Sequence, residues 1–261
     1  MAYRAGMDAA LTVTFADHTA TITLARPERR NALSEAVLTE LRGALDDVAE
    51  SAATGLVLAA DGPVFSAGHD FADVDGRDVV GVRRLLDVCT AVMNRMHTMP
   101  QVVIAKVQGL ATAAGCQLVA SADLAVAADT AGFALPGGAG GWFCHTPAVP
   151  VARAIGRKRL FEMALTGDVI DARTALDWGL VNRVVPADEL DAAVAELLGR
   201  ATRGSAASKA WGKAVLYAQL DRPEADGYGI AVPAMAAASQ TAGAREGRAA
   251  FLGKRKPVFT D

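Results

Sequence analysis

Two short segments of small residues, each directly after an apolar run typical of a buried strand, constrain the fold of this chain most. They are Phe65-Ser-Ala-Gly-His-Asp70 and Gly109-Leu-Ala-Thr-Ala-Ala-Gly-Cys-Gln-Leu118. Small side chains at the junction between a strand and a loop or helix leave backbone N–H groups open to a ligand. Two such junctions that converge predict a site in which main-chain donors hold a developing oxyanion.

The composition indicates a folded protein with a sizeable core. The chain has 261 residues, of which 52% are hydrophobic and 21% are charged, and these values argue against disorder. The net charge of −3 favours neither nucleic acid nor an anionic membrane as a partner. The most apolar stretch, 102–128, is interrupted by polar residues, so it does not predict a membrane span.

Cysteine usage and the N-terminus bear on the location of the protein. Three scattered cysteines, Cys89, Cys116 and Cys144, fit a reducing compartment without a disulfide framework. Arg4 and Asp8 interrupt the N-terminus too early for the basic-then-apolar order of a signal peptide. We therefore expect a cytoplasmic protein.

The hydrophobic periodicity predicts an α/β layered fold. Alternating residues at 11–15 and 20–24 predict an opening β-hairpin around Asp17 and His18. Buried strands are predicted at 56–59, 102–105 and 124–127, and helices at 34–49, 79–97, 115–121, 157–165, 172–178 and 189–203. Strand signals vanish beyond Ser205, which divides the chain into a core at 1–204 and an Ala-rich helical region at 205–261. We expect that region to need a partner surface, because it cannot form a core alone.

A series of motifs, in order and with matching spacing, resembles the enoyl-CoA hydratase/isomerase family, the crotonases. The motifs are Arg26-Pro-Glu-Arg-Arg-Asn-Ala-Leu33, Phe65 to Asp70, Gly109 to Leu118, Phe133-Ala-Leu-Pro136, Leu165-Thr-Gly167, the segment 171–186 and Ala250-Phe-Leu-Gly-Lys-Arg-Lys-Pro257. The resemblance covers essentially the whole chain. Within the family, the segments 112–117 and 143–147 and the Lys-Arg-Lys-Pro tail are similar to the group called enoyl-CoA hydratase domain-containing protein 3.

This resemblance implies a crotonase (ClpP-like) α/β fold of repeated β-β-α turns, with the C-terminal helical region at 205–261 used in trimerisation. It implies a homo-oligomer, either a trimer or a homohexamer built as a dimer of trimers. The implied ligand is an acyl-CoA thioester, so coenzyme A enters as part of the substrate and no cofactor is bound permanently. The implied activity is that of a lyase of fatty acid metabolism.

The resemblance also assigns an oxyanion hole. In the family two backbone N–H groups hold the thioester oxygen, and here they fall on His69 and Ala114. Spacing alone fits close helix–strand packing equally well, and the ordered motif series favours the oxyanion hole. The imidazole of His69 is interpreted as a wall group of the pocket rather than as a catalyst.

The binding site for coenzyme A is likewise carried over from the family. The residues implied are Arg30, Ala32, Ala67, Asp70, Phe251 and Lys254, the last two reaching the nucleotide from a neighbouring subunit. A basic residue that meets a phosphate is physically sensible. A solvated basic surface is the alternative interpretation of Arg30 and of the Lys-Arg-Lys run.

The chain departs from the family at two positions that carry the chemistry of hydration. Hydratases use two glutamates to add water to the enoyl double bond, and here those positions are Gln117 and Gly137. Neither an amide nor a glycine transfers a proton at neutral pH. General acid–base catalysis contributes ~10²–10⁴-fold per positioned group, so hydration by the usual route should be crippled while binding is spared.

His145 is the candidate replacement, since a neutral imidazole there can act as a base. Cys144 beside it is a weaker candidate, and a structural His-Thr-Pro turn with a buried cysteine is the alternative. Adjacent residues on an extended segment point in opposite directions, so we expect only one of the two to face the ligand. The four histidines lack metal-ligand spacing, and no metal site is predicted. Three functions stay open: an acyl-CoA-processing enzyme, a non-catalytic acyl-CoA-binding oligomer, and an isomerase or thioesterase.

Overall fold

The computed structural model describes residues 10–260, so Arg4 and Asp8 lie outside the described residues. The strands are β1 (Leu11–Ala16), β2 (Thr19–Leu24), β3 (Gly55–Ala60), β4 (Val64–Ser66), β5 (Val102–Val107), β6 (Leu110–Thr112), β7 (Leu124–Ala128), β8 (Gly132–Ala134), β9 (Ile170–Asp171) and β10 (Arg183–Val185). The helices are α1 (Glu35–Glu50), α2 (Val79–Thr98), α3 (Ala114–Ser121), α4 (His145–Ile155), α5 (Arg157–Thr166), α6 (Ala172–Trp178), α7 (Leu190–Thr202), α8 (Ala206–Gln219), α9 (Glu224–Ala238) and α10 (Ala242–Leu252).

The strands form two sheets joined by repeated β-β-α turns. The first sheet has the order β1-β2-β3-β5-β7-β10 and is parallel except for the β1–β2 hairpin. The second sheet has the order β4-β6-β8-β9. After β3, β5 and β7 the chain passes within a few residues into β4, β6 and β8, so the second sheet collects the carboxyl ends of the first.

The central strands of the first sheet are apolar on both faces, as expected for parallel strands covered on both sides. Leu56 and Leu58 of β3 belong to the main core with α1, α2 and α3, whereas Val57 belongs to a second cluster under α7. The same alternation separates Val103 from Ile104 on β5. Helices α1, α2 and α3 therefore lie on one face of the first sheet and α7 on the other, because successive side chains of a strand point in opposite directions.

The predicted hairpin, the three buried strands and the six helices of the core are confirmed within one or two residues. Two features were missed. The strands of the second sheet, together with β10 of the first, have two or three residues each and carry too little alternation to be recognised. Helix α4 begins at His145 with Pro147 in its first turn, where the sequence indicated only a turn.

The C-terminal helices contribute little to the core of this subunit. Helix α9 has no buried residue, and α10 buries only Ala250. Large apolar side chains of this region are exposed, among them Trp211, Leu216, Val232, Met235 and Phe251. No helix within 10–260 is long and apolar enough to cross a membrane.

Helix α8 is held to the core by a buried ion pair. The ammonium of Lys213 donates to the carbonyl of Gln101 and pairs with Asp123, at 2.7 Å in each case. Asp123 also accepts hydrogen bonds from the Tyr217 hydroxyl at 2.8 Å and from the Val103 N–H at 2.7 Å. Burial lowers the pKa of Lys213, and the carboxylate of Asp123 opposes that shift. Removing the carboxylate alone would therefore leave a buried cation without its counter-charge.

We expect Asp123→Ala to lower the free energy of unfolding by about 3–5 kcal/mol, as is typical when one partner of a buried ion pair is removed. Adding Lys213→Met to Asp123→Ala should recover part of this loss, because the uncompensated ammonium is then gone. Urea unfolding followed by circular dichroism checks both expectations. Asp129→Ala, at an exposed position just after β7, is the matched control and should stay within about 0.5 kcal/mol of the parent. Strict additivity of the two substitutions would contradict the coupling.

Candidate functional site

The segment that follows β4 is clamped against the turn at 30–33. The N–H of Ala67 donates to the carbonyl of Arg30 at 3.0 Å, and the N–H of Leu33 donates to the carbonyl of Gly68 at 2.8 Å. The N–H of Asp70 also donates to the carbonyl of Leu33 at 3.3 Å, so the backbone is held on both sides of His69. The N–H of His69 itself makes no hydrogen bond to any residue in 10–260.

The segment that follows β6 presents a second unpartnered N–H. Ala113 adopts φ 48° and ψ −117°, a conformation that non-glycine residues rarely adopt and that stores backbone strain. Its own N–H donates to the carbonyl of Ala134 at 3.0 Å, and its carbonyl accepts from the N–H of Gln117 at 3.0 Å. Ala114 is the first residue of α3, where helical N–H groups have no partner within the helix, and its N–H has none elsewhere in the described chain.

The two junctions approach each other closely at Gly68. This residue has φ +86°, and a Cβ built on it would lie 2.9 Å from the Cβ of Ala113 and 3.1 Å from the backbone N of Ala114. A side chain at position 68 would therefore crowd the unpartnered N–H of Ala114. The glycine brings the N–H groups of His69 and Ala114 onto neighbouring backbones, which confirms that the two junctions converge.

A cavity of about 390 Å³ lies at this convergence. Its lining is mostly apolar and consists of Ala67, His69, Phe71, Leu86, Ala113, Pro136, Gly137, Gly140, Trp142, Phe143, Cys144, His145, Thr146 and Pro147. Five residues singled out in the sequence line the cavity, namely Ala67, His69, Gly137, Cys144 and His145. Leu86 was not foreseen as a wall residue, because its helical spacing on α2 is indistinguishable from that of a core residue.

Gln117 is not among the lining residues. Its side chain is buried, and its Oε1 lies 3.9 Å from the Sγ of Cys89 on α2. Burial raises the pKa of that thiol to about 12, so Cys89 is a neutral hydrogen-bond donor. One of the two positions where the resemblance implied a glutamate thus holds a neutral amide packed into the interior.

Gly137 has no room for a side chain. A Cβ at this position would run into the carbonyl oxygen of Trp142 and would lie 2.8 Å from the Sγ of Cys144. The N–H of Trp142 donates to the carbonyl of Gly137 at 2.9 Å and closes the loop on itself. Main-chain atoms therefore fill the direction that a side chain at position 137 would take.

The expectation that Cys144 and His145 point away from each other is wrong, because both line the cavity. The segment is not extended: Cys144 is the N-cap of α4, and His145 is the first residue of that helix. Cys144 is buried, and this burial raises its thiol pKa against an opposing hydrogen bond from the backbone of Gly137. His145 is exposed, with its ring 5.0 Å from that of Phe143.

The imidazole of His69 is held in one orientation. Its Nδ1 lies 3.4 Å from the carbonyl oxygen of Leu33, and its ring centroid lies 6.1 Å from that of Trp142. Burial lowers the pKa of His69 below its ordinary value and outweighs the opposing effects of the Leu33 carbonyl and the Asp73 carboxylate. The ring is therefore neutral at neutral pH.

Three of the residues expected at coenzyme A, Arg30, Ala32 and Asp70, lie at the clamped turn beside the cavity. Arg30 is exposed, and the carboxylate of Asp70 accepts a hydrogen bond from Arg29 at 3.0 Å, which holds the pKa of Asp70 below its usual range.

Phe251 and Lys254 lie at the end of α10 and just beyond it, and both are exposed and outside the cavity lining. Among the described residues, no group of three His, Cys, Asp or Glu side chains is placed to hold a metal ion.

Comparison with known proteins identifies the relatives of this chain. The sequence profile of the enoyl-CoA hydratase/isomerase family matches residues 14–261. The mouse protein "Enoyl-CoA hydratase domain-containing protein 3, mitochondrial" is 42% identical over 243 residues, which are 92% of this chain and 80% of that protein. A putative enoyl-CoA hydratase of Thermus thermophilus is 32% identical over 93% of this chain and 97% of its own.

Solved structures agree with these sequence matches. The crystal structure of human enoyl-CoA hydratase domain-containing protein 3 superposes with a TM-score of 0.92 at 39% identity, over 96% of this chain and all (100%) of that chain. An enoyl-CoA hydratase from Mycobacterium smegmatis superposes with a TM-score of 0.93 at 40% identity, over 96% and 99% of the two chains. The resemblance stated from the motifs and the crotonase fold are both confirmed.

The crowding at Gly137 predicts that even a methyl group is harmful there. We expect Gly137→Ala to lower the free energy of unfolding by about 1–3 kcal/mol, because overpacking against the backbone of Trp142 forces the loop to shift. Gly43→Ala is the control: it lies inside α1 with nothing within 4 Å of the added Cβ, and should stabilise the protein by about 0.5–1 kcal/mol. Urea unfolding of the two variants measures the difference, and equal stability would contradict the described path of the loop.

Proposed function

The chain belongs to the enoyl-CoA hydratase/isomerase family, and from this premise we propose that it processes acyl-CoA thioesters in the cavity beside His69. The backbone N–H groups of His69 and Ala114 would hold the thioester oxygen. The observation that carries this proposal is that both N–H groups are unpartnered and lie on neighbouring backbones, with His69 and Ala113, the residue before Ala114, in the cavity lining. Such donors have no other evident role in the folded chain.

The physical advantage of these donors is that they are already oriented before the reaction begins. A thioester oxygen gains negative charge when an enolate or tetrahedral intermediate forms, and fixed N–H groups stabilise that charge without rearranging. One such donor contributes about 3–4 kcal/mol to the transition state. Ala114 also begins α3, whose N-terminus carries partial positive charge.

The proposed chemistry is formally that of the enoyl-CoA hydratase group of lyases, without the usual means of adding water. Gln117 is packed into the interior and Gly137 cannot bear a side chain, so no carboxylate is available at either position. His145 at the rim of the cavity and Cys144 in its wall are the groups for proton transfer foreseen from the sequence. The same absence of carboxylates favours the alternative of a non-catalytic acyl-CoA-binding oligomer.

We further propose that coenzyme A lies along Arg30, Ala32, Ala67 and Asp70. Phe251 and Lys254 would reach it from a neighbouring subunit of a trimer or of a dimer of trimers. The exposed apolar side chains of α8, α9 and α10 support such an assembly, since surfaces of this kind mark interaction sites. The cytoplasmic location stays a prediction, and the mouse relative is described by its name as mitochondrial.

The first experiment is mass spectrometry of saturated and unsaturated acyl-CoA thioesters incubated with the protein in deuterated water. Uptake of deuterium without added water supports enolate chemistry, including isomerisation. Gain of water would establish hydration and contradict the consequence drawn from Gln117 and Gly137, and free coenzyme A would establish thioesterase activity. Binding without any change would favour the non-catalytic alternative.

The oxyanion hole is tested by removing one donor. We expect Ala114→Pro to reduce turnover of the best acyl-CoA about 10²–10³-fold, since proline lacks an N–H and is tolerated at the first position of a helix. Ala114→Gly retains the N–H and is the matched control, with circular dichroism to verify that both variants fold. Unchanged turnover by folded Ala114→Pro would refute the assignment of Ala114.

A further inference from the structure

The cavity contains one polar side-chain atom whose state the proposed function does not explain. The Nε2 of His69 is buried and has no hydrogen-bond partner within residues 10–260. Buried polar atoms in folded proteins are almost always paired, and an unpaired one requires an explanation such as a catalytic role or a bound ligand. Because His69 lines the cavity, the natural partner of this atom is a group that enters the cavity.

The hydrogen bond on the other side of the ring determines what Nε2 offers. The carbonyl oxygen of Leu33 can only accept, so Nδ1 at 3.4 Å from it carries the proton. In a neutral imidazole the second nitrogen then presents a lone pair. The same carbonyl also accepts the N–H of Asp70 at 3.3 Å, so the acceptor that orients the ring is itself fixed by the clamped turn.

The surroundings of the His69 ring favour the neutral imidazole before the reaction and partly stabilise the imidazolium that forms during it. The carboxylate of Asp73 acts to raise the pKa of His69, and it accepts a hydrogen bond from the N–H of Glu35 at 2.6 Å. The titratable groups lining the cavity with His69 are Cys144 and His145, and the uncharged rings of Phe71 and Trp142 complete its aromatic wall. Burial disfavours the imidazolium, and the Asp73 carboxylate partly offsets this.

We propose that the His69 imidazole is the proton-transfer group of this cavity, and that the ligand is an acyl-CoA with a removable proton on C2, the carbon next to the thioester carbonyl. This inference rests on the proposed function, because it needs the thioester oxygen to be held by the N–H groups of His69 and Ala114. Nε2 takes the C2 proton. The C–H electron pair becomes the C1–C2 double bond, and the carbonyl π pair moves onto the oxygen.

The step is balanced without any further reactant. The enolate carries the negative charge at the two N–H groups, and the imidazolium carries the proton. Return of the proton to C2 gives exchange with solvent, and its delivery to C4 of the dienolate formed from a 3-enoyl thioester gives a shift of the double bond. One residue then supplies both an oxyanion donor and the base, which explains how the site can dispense with carboxylates at Gln117 and Gly137.

The test uses butyryl-CoA in deuterated water. Calorimetry measures its affinity for the protein, and mass spectrometry measures the rate of deuterium incorporation at C2. His69→Asn keeps the backbone N–H and a side-chain donor for Leu33, while it removes the lone pair at Nε2. We expect it to bind butyryl-CoA within about threefold of the parent, while exchange falls about 10²–10⁴-fold. His18→Asn, at the exposed β1–β2 turn, is the matched control and should change neither readout.

Two further signatures distinguish a base from a structural residue. Exchange by the parent should fall at low pH with a midpoint below the ordinary pKa of histidine, about 6.5, because burial lowers the pKa of His69 and only the neutral ring accepts a proton. This acid limb should disappear from the residual rate of His69→Asn. Added imidazole should restore part of the exchange in His69→Ala, where the cavity gains room for it.

The outcomes separate the two proposals. Exchange by His69→Asn at the parental rate, or loss of exchange with no rescue by imidazole, overturns the role of His69 and leaves the proposed ligand class standing. Binding of butyryl-CoA by the parent without any exchange also overturns it. A parent protein that fails to bind acyl-CoA thioesters at all refutes the proposed function, and this inference with it.

Discussion

The contact of the Gly68 backbone with Ala113 and Ala114 is the constraint on which the candidate site depends. It joins two β-β-α turns that are distant in sequence, and it requires a residue without a side chain at φ +86°. The strained conformation of Ala113 serves the same end, because it starts α3 with the N–H of Ala114 unpartnered. Strain of this kind persists only where the surrounding structure imposes it, and here two sheets and the clamped turn at 30–33 do so.

At Gln117 and Gly137, where the resemblance implied two glutamates, the structure provides no carboxylate for two different physical reasons. At Gln117 the polar atoms remain, but they lie in the interior against Cys89. At Gly137 the loop takes a path that leaves no space for a Cβ, with the Trp142 backbone and the Cys144 thiol in its place. Under the proposed function, such a site would rely on backbone donors for an oxyanion, and its mostly apolar lining carries the imidazoles of His69 and His145.

The C-terminal region is attached to the core through α8 and through the ion pair of Asp221 with Arg153, and α9 and α10 are largely exposed. Through Gln101 and Asp123, the buried Lys213 ties α8 to the segments just before β5 and β7, whereas α9 and α10 bury almost nothing within the subunit. The exposed apolar side chains of this region form the surface that the proposed assembly would cover. The proposed binding of coenzyme A by Phe251 and Lys254 of a neighbouring subunit would place the same surface in the function of the site.

The sequence by itself determined the α/β class, the buried strands and most of the helices, because alternating and helical periodicities are local properties of the chain. Its ordered motifs also determined the family, whereas the contact of the two junctions at Gly68 is a property of the tertiary structure. Only the tertiary structure decided that Gly137 has no room for a side chain, that Cys144 and His145 line one cavity, and that Nε2 of His69 is unpartnered. These properties depend on which backbone atoms meet across two sheets, and no local pattern of residues encodes that meeting.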